Sequence, residues 1–264
     1  MTFLLRTVGR VTLETLAEMG ALWRLGQEAF CKFIMEPFRG RRMRLGAVVA
    51  QSVEAGYNSM FLVSLLVFLL GMIMALQSAY QLKKLGGEEL VANLVAVAVV
   101  RELAPLLTAI IVAGRFGSAI AAGLATMKVS QEIDALKVMG IEPVSYLVVP
   151  RLLALMLALP CLTIFSDLVG ILGGLVVGIG PLGLGLSSYV EQSIDALLME
   201  DIVTGLVKAL VFAGIIGLVG CHQGLKTEGG AEAVGHSTTA AVVLSIVLVI
   251  AADLFVTAIF YTRG

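Results

Sequence analysis

The chain has 264 residues, of which 59% are hydrophobic and only 14% charged, with a formal net charge of −1. Its mean hydropathy is +1.00. Soluble domains carry roughly 45–50% apolar residues, so these values exclude an ordinary soluble domain, and the net charge implies no polyanionic partner.

Residues 1–38 are amphipathic rather than continuously apolar. Leu4, Val8 and Val11 recur at helical spacing, then Leu16, Met19 and Trp23, then Phe30, Phe33 and Ile34, with Arg6, Arg10, Glu14, Glu18 and Arg24 between them. This pattern predicts one or two helices lying in a membrane interface. No apolar core of a cleavable leader is visible, so the first span would itself direct insertion. Pro37 and Gly40 break the pattern, and Arg39, Arg41, Arg42 and Arg44 follow as a basic cluster. Such a cluster beside a span is read as a topology anchor, with anionic headgroups as the sharper alternative.

Five spans are predicted: Met60–Leu76 (extended upstream from about Ala47), Leu90–Ala113, Leu147–Ile179, Ile202–Gly220 and Ala240–Tyr261. Each has the roughly 20 residues that crossing requires. Between the second and third spans the sequence predicts a turn at Gly114-Arg115-Phe116-Gly117, then a short helix outside the membrane. Ser130 is its expected N-cap, Glu132 and Asp134 offset its dipole, Gly140 stops it and Pro143 prevents continuation. Ile133, Leu136 and Met139 form a narrow apolar stripe, which suits a bilayer surface or a partner's groove equally well.

Basic residues are densest in the N-terminal segment and recur at Arg115, Lys128, Lys137 and Lys226, whereas Gly180–Asp201 holds only acidic ones. The N-terminus is therefore expected to be cytoplasmic and the C-terminus on the far side. Gly170, Gly173, Gly174 and Gly178 in the third span, and Gly214, Gly217 and Gly220 in the fourth, predict close helix approach. Cys31, Cys161 and Cys221 form no paired motif.

No phosphate-binding loop is present; Gly220 to Thr227 has the wrong spacing and follows a span rather than a strand. His222 and His236 share the expected fourth-to-fifth loop, where a common metal is the minor reading, and Asp167 and Asp253 lack a motif that would expose an aspartyl pair. The informative residues are charges inside apolar runs: Arg101-Glu102, whose adjacency suggests an ion pair, then Lys208 and Asp253. Each costs several kcal/mol in hydrocarbon unless paired or facing a cavity. Two readings stand together: ion pairing between helices, as of Lys208 with Asp253, and a polar patch lining a cavity.

Several motifs resemble the MlaE (YrbE-type) permease family of ABC lipid transporters over about residues 45–264. They are Gly71 to Gln77, Arg101-Glu102-Leu103-Ala104-Pro105, Gly114 to Ala119, Met127 to Gly140 with Pro143, Pro150-Arg151, Lys208 to Phe212, Val234-Gly235 with Thr238-Thr239, and Ala252 to Ala258. The resemblance implies an all-α polytopic membrane protein of about five spans. Residues 1–44 would be the amphipathic interfacial segment and 45–264 the permease domain, with a cytoplasmic coupling helix at about 130–140. It implies a permease without its own nucleotide site, moving phospholipid between inner and outer membrane while a separate ATPase binds ATP and Mg. Implied partners are a second permease copy, that cytoplasmic ABC ATPase, a periplasmic MCE-domain lipid-binding protein and a small STAS-type subunit. The implied location is a bacterial inner membrane. By the same resemblance Met74, Gln77, Arg101, Glu102, Leu103, Lys208 and Asp253 lie at or near a lipid cavity, and Glu132, Ile133, Asp134, Leu136 and Met139 couple to the ATPase. Gly123 stands where many relatives carry an acidic residue. A proton-coupled carrier using Glu102 or Asp253, or a scaffold that transports nothing, is the alternative.

Overall fold

A computed structural model describes residues 17–32, 45–84, 87 and 90–262. The described residues form helices joined by short connections, with no strand among them, as an apolar chain needs when no water satisfies its backbone. Residues 17–32 form α1. Five helices are long and apolar enough to cross a membrane: α2 (Leu45–Lys83), α3 (Val91–Val129), α5 (Val144–Ile179), α7 (Met199–Lys226) and α8 (Ala231–Tyr261). Between them lie α4 (Glu132–Val138) and α6 (Leu186–Ala196). The protein is thus a multi-pass membrane protein. The basic cluster Arg39, Arg41, Arg42 and Arg44 lies outside the described residues, as do the amphipathic positions before residue 17, Phe33 and Ile34.

Several spans are longer than the hydropathy pattern predicts. The second does not end at Ala113: Gly114 to Gly117 is not a turn but a π-helical turn inside α3, which runs on to Val129. The two glycines permit a turn there, but every backbone group can stay bonded only if the helix continues. The connection outside the spans is correspondingly short. His222 and His236 are likewise not in a loop: they sit in α7 and α8, joined only by residues 227–230. No group of three metal-ligating side chains occurs among the described residues.

Glycine sets the packing. A Cβ at Gly71 of α2 would collide with the carbonyl of Gly170 of α5, so only glycine allows these helices to touch along their backbones. A buried hydrogen bond of 3.0 Å between the Thr108 and Ser166 hydroxyls joins α3 to α5. Helices α3 and α7 meet similarly: a Cβ at Gly205 would lie 2.6 Å from the Val100 carbonyl oxygen. That approach decides the register of the site below.

Candidate functional site

Pro105 has no N–H, so the carbonyl four residues back, that of Arg101, loses its α-helical donor. The helix widens there into a π turn over Val99–Leu103, and the Ala104 N–H bonds the carbonyl of Val99. Such single π turns recur at functional sites. Here one carries both Arg101 and Glu102.

The two side chains do not pair with each other, as their adjacency suggested. Arg101 donates to Asp201 Oδ1 at 3.3 Å, in the first turn of α7. Glu102 accepts from Lys208 Nζ at 2.5 Å and from the Thr257 hydroxyl of α8 at 3.1 Å. Adjacent helical residues point about 100° apart, so each reaches a different neighbour. Gly205, one turn before Lys208, lets α7 approach closely enough for the second contact.

Lys208 is wholly buried and also lies 2.8 Å from Asp253 Oδ1, an ion pair that falls off the hydrogen-bond axis and leaves that oxygen without a bonded donor. The expected pairing of Lys208 with Asp253 is therefore present, but Glu102 shares the ammonium. Three carboxylates thus face two cations across α3, α7 and α8, all within roughly three helical turns of the end where α6 lies.

Access differs sharply within this cluster. The side chains of Arg101 and Glu102 are 34% and 36% exposed, Asp253 16%, Lys208 0%. Lys208 is an enclosed strut, and Arg101 and Glu102 are the groups a ligand can touch. Leu103 is half-buried against the core, Met74 is half-buried on α2, and Gln77 is exposed one turn further along. No hydrogen bond or ion pair among the described residues ties Met74 or Gln77 to the cluster. Sequence reasoning missed Asp201 and Thr257. The first carried a signal, since an acid in the first turn is a capping position, and Asp201 Oδ2 indeed accepts the Leu198 N–H at 3.2 Å. Thr257 stands one turn after Asp253 on the same helix face.

At the opposite end α4 stands outside the spans. Ser130 is not its N-cap: Gln131 occupies that position with a left-handed φ of 61° and makes no side-chain cap. The Ser130 hydroxyl is instead spent on the Thr126 carbonyl at 2.9 Å and on Glu132 Oε1 at 3.0 Å. Gly140 does stop the helix, at φ 73°. The Gly140 N–H bonds the Lys137 carbonyl and the Ile141 N–H that of Leu136, the paired closure that a left-handed residue allows.

The expected stripe is divided. Ile133 is buried in the core of the helix bundle and Leu136 is half-buried against it. Met139 is 65% exposed, and Val138, which the pattern did not single out, is 89% exposed. Glu132 and Asp134 are exposed. Lys137, at 3.1 Å, and Lys128, at 3.5 Å, hold the Asp134 carboxyl below the usual carboxylate range, the Lys137 hydrogen bond contributing most. Gly123 has open space around its Cα.

Residues 48–259 match the family model "Permease MlaE". A probable ABC transporter permease protein of Rickettsia typhi is 34% identical over 254 residues, 96% of both chains. One from Synechocystis is 38% identical over 200 residues, 76% of both chains. Protein trigalactosyldiacylglycerol 1, chloroplastic, of Arabidopsis thaliana is 40% identical over 194 residues, 74% of this chain and 55% of its own. With five spanning helices and this match across most of its length, the chain belongs to the MlaE family of ABC transporter permeases.

Proposed function

We propose that the chain is the membrane subunit of an ABC transporter that moves phospholipid between the inner and outer membranes of a bacterium. A separate ATPase binds ATP and Mg and drives it. The observation that carries this reading is the charged cluster itself. Arg101 and Glu102 stay reachable inside an apolar bundle while Lys208, Asp201, Asp253 and Thr257 hold them in place. An apolar substrate would need no such groups, and a small polar one would need no surrounding hydrocarbon. A phospholipid has both demands.

Arg101 is the phosphate contact, because guanidinium is always charged and bonds two oxygens at once. Its present partner Asp201 holds it ready and is displaced as the lipid arrives. Met74, Leu103 and the exposed apolar side chains of α2 receive acyl chains, and Gln77 stands at the same surface. A second permease copy closes the cavity. The exposed side of α4, with Glu132, Asp134, Val138 and Met139, enters a groove on the cytoplasmic ATPase, while Ile133 and Leu136 transmit its movement to the spans. An MCE-domain protein receives the lipid on the periplasmic side, and a small STAS-type subunit completes the assembly. The lipid named in the Arabidopsis relative supports a lipid substrate. In this orientation the N-terminus is cytoplasmic.

The test is purification with native partners, followed by reconstitution in vesicles holding a fluorescent phospholipid. ATP-dependent transfer with a co-purifying ATPase is the expected result. Transfer driven by a proton gradient without any ATPase, or no retained lipid and no transfer, overturns it.

A further inference from the structure

An apolar space lies away from the charged cluster. Helix α1 roofs a groove of about 670 Å³ over the spans α5, α7 and α8. Trp23 and Phe30 of α1, Met156 of α5, Gly214 and Leu218 of α7, and Leu248 of α8 line it, and no residue of the charged cluster takes part. We infer that this groove holds one acyl chain of a resident bilayer phospholipid, whose polar end lies at the rim where α1 meets the end of α7.

Three walls are spanning helices, so the groove opens into hydrocarbon, where lipid chains are the solvent. Its volume falls within the roughly 300–1,000 Å³ of ligand pockets. The glycines of α7 mark where protein stops and free space begins. Gly205, Gly217, Gly220 and Gly224 are each pressed by a neighbouring helix, whereas a Cβ at Gly214 would meet only Met156 Cε, at 3.7 Å. Gly214 is thus not explained by helix packing, contrary to its expected role; the space beside it is the groove.

The rim supplies what the rest of a phospholipid needs. Lys226 at the end of α7 pairs with Glu18 of α1, and His222, one turn beyond Leu218, has a buried Nε2 without a hydrogen-bond partner. At its other end α1 is held by Lys32, which bonds Glu142 in the segment between α4 and α5. The roof is therefore fastened at both ends and the groove cannot simply collapse. Nothing here depends on transport through the charged cluster.

The complex is reconstituted in vesicles of phosphatidylethanolamine and phosphatidylglycerol containing a phospholipid with a diazirine at its chain end. It is then irradiated, and adducts are located by mass spectrometry. Adducts at Met156 and Leu218 should exceed those at Phe61, which is 79% exposed on α2, by about tenfold, as expected of a site rather than of solvent lipid. Gly214→Leu fills the groove from α7 and Gly26→Leu from α1, where a Cβ meets Leu218 at an ordinary 3.4 Å. Either variant that assembles should lose most of the groove adduct and keep that at Phe61. Groove labelling no stronger than at Phe61, or labelling that survives both substitutions, overturns the inference.

Discussion

The two ends of this bundle treat charge in opposite ways. Near α6, charges sit inside the protein, and each is held by a partner on another helix: Arg101 by Asp201, Glu102 by Lys208 and Thr257, Lys208 also by Asp253. Near α4, charges sit on the surface, some held by neighbours in sequence, as Asp134 is by Lys137 and Lys128, and others by distant segments, as Glu142 is by Lys32. In the first region a lost partner leaves a charge in a medium that cannot solvate it. In the second, water replaces the partner at little cost. The wholly buried Lys208 is therefore where the fold is most at risk, whereas Arg101 is partly exposed and its partner Asp201 keeps the Leu198 N–H when Arg101 is removed. The exposed side of α4 is where a change disturbs the fold least.

The comparison breaks most visibly at Lys208. Replacing it by Met strands Glu102 and Asp253 together and should cost about 3–5 kcal/mol, seen as lost yield and a lowered melting temperature of the purified protein. Adding Glu102→Gln and Asp253→Asn should recover most of that. An exchange of Lys208 and Asp253 alone should recover less, because Glu102 would then face the new carboxylate. Full recovery by the exchange would show that Glu102 is not a true partner.

Next in size is Val138→Asp with Met139→Asp. These side chains touch no core, so thermal stability should hold while ATPase association weakens by about tenfold in a pull-down titration. Ile133→Asp is the contrast, because it should damage the fold itself. Equal behaviour of the two faces would erase the distinction between them.

The smallest effect concerns pH. The Asp134 carboxyl is held below its usual range, so its pairing contributes fully above pH of about 4 and is lost only as pH falls through its lowered value. ATPase association measured between pH 5 and 8 should therefore be flat in Asp134. An Asp134→Asn variant that differs from wild type only in part of that window would contradict this.

Much of this architecture could be read from residue order. Apolar run length gave five spans, because hydrocarbon admits little besides helix, and Gly140 was legible because a left-handed stop favours glycine. Local breaks and charge partners are less legible. Gly114 and Gly117 suggest a turn, but backbone bonding within a membrane outweighs their freedom, and the helix continues through them as a π turn. Arg101 and Glu102 looked like a pair because they are adjacent; their true partners stand about a hundred positions away on α7, in a register set by Gly205 against Val100. A sequence shows that a buried charge needs a partner, whereas the backbone approach of two helices selects which one. The same reason hid the inward face of Ile133 and the exposure of Val138.

The central claim is that Arg101 handles the lipid phosphate while the buried strut behind it maintains the fold. ATP-dependent phospholipid transfer by the reconstituted complex, compared between wild type and Arg101→Ala, tests it most directly. The account predicts a fall of about 10- to 100-fold in transfer, from loss of one charge-assisted contact, with assembly and ATP hydrolysis retained. Wild-type transfer by Arg101→Ala would contradict it.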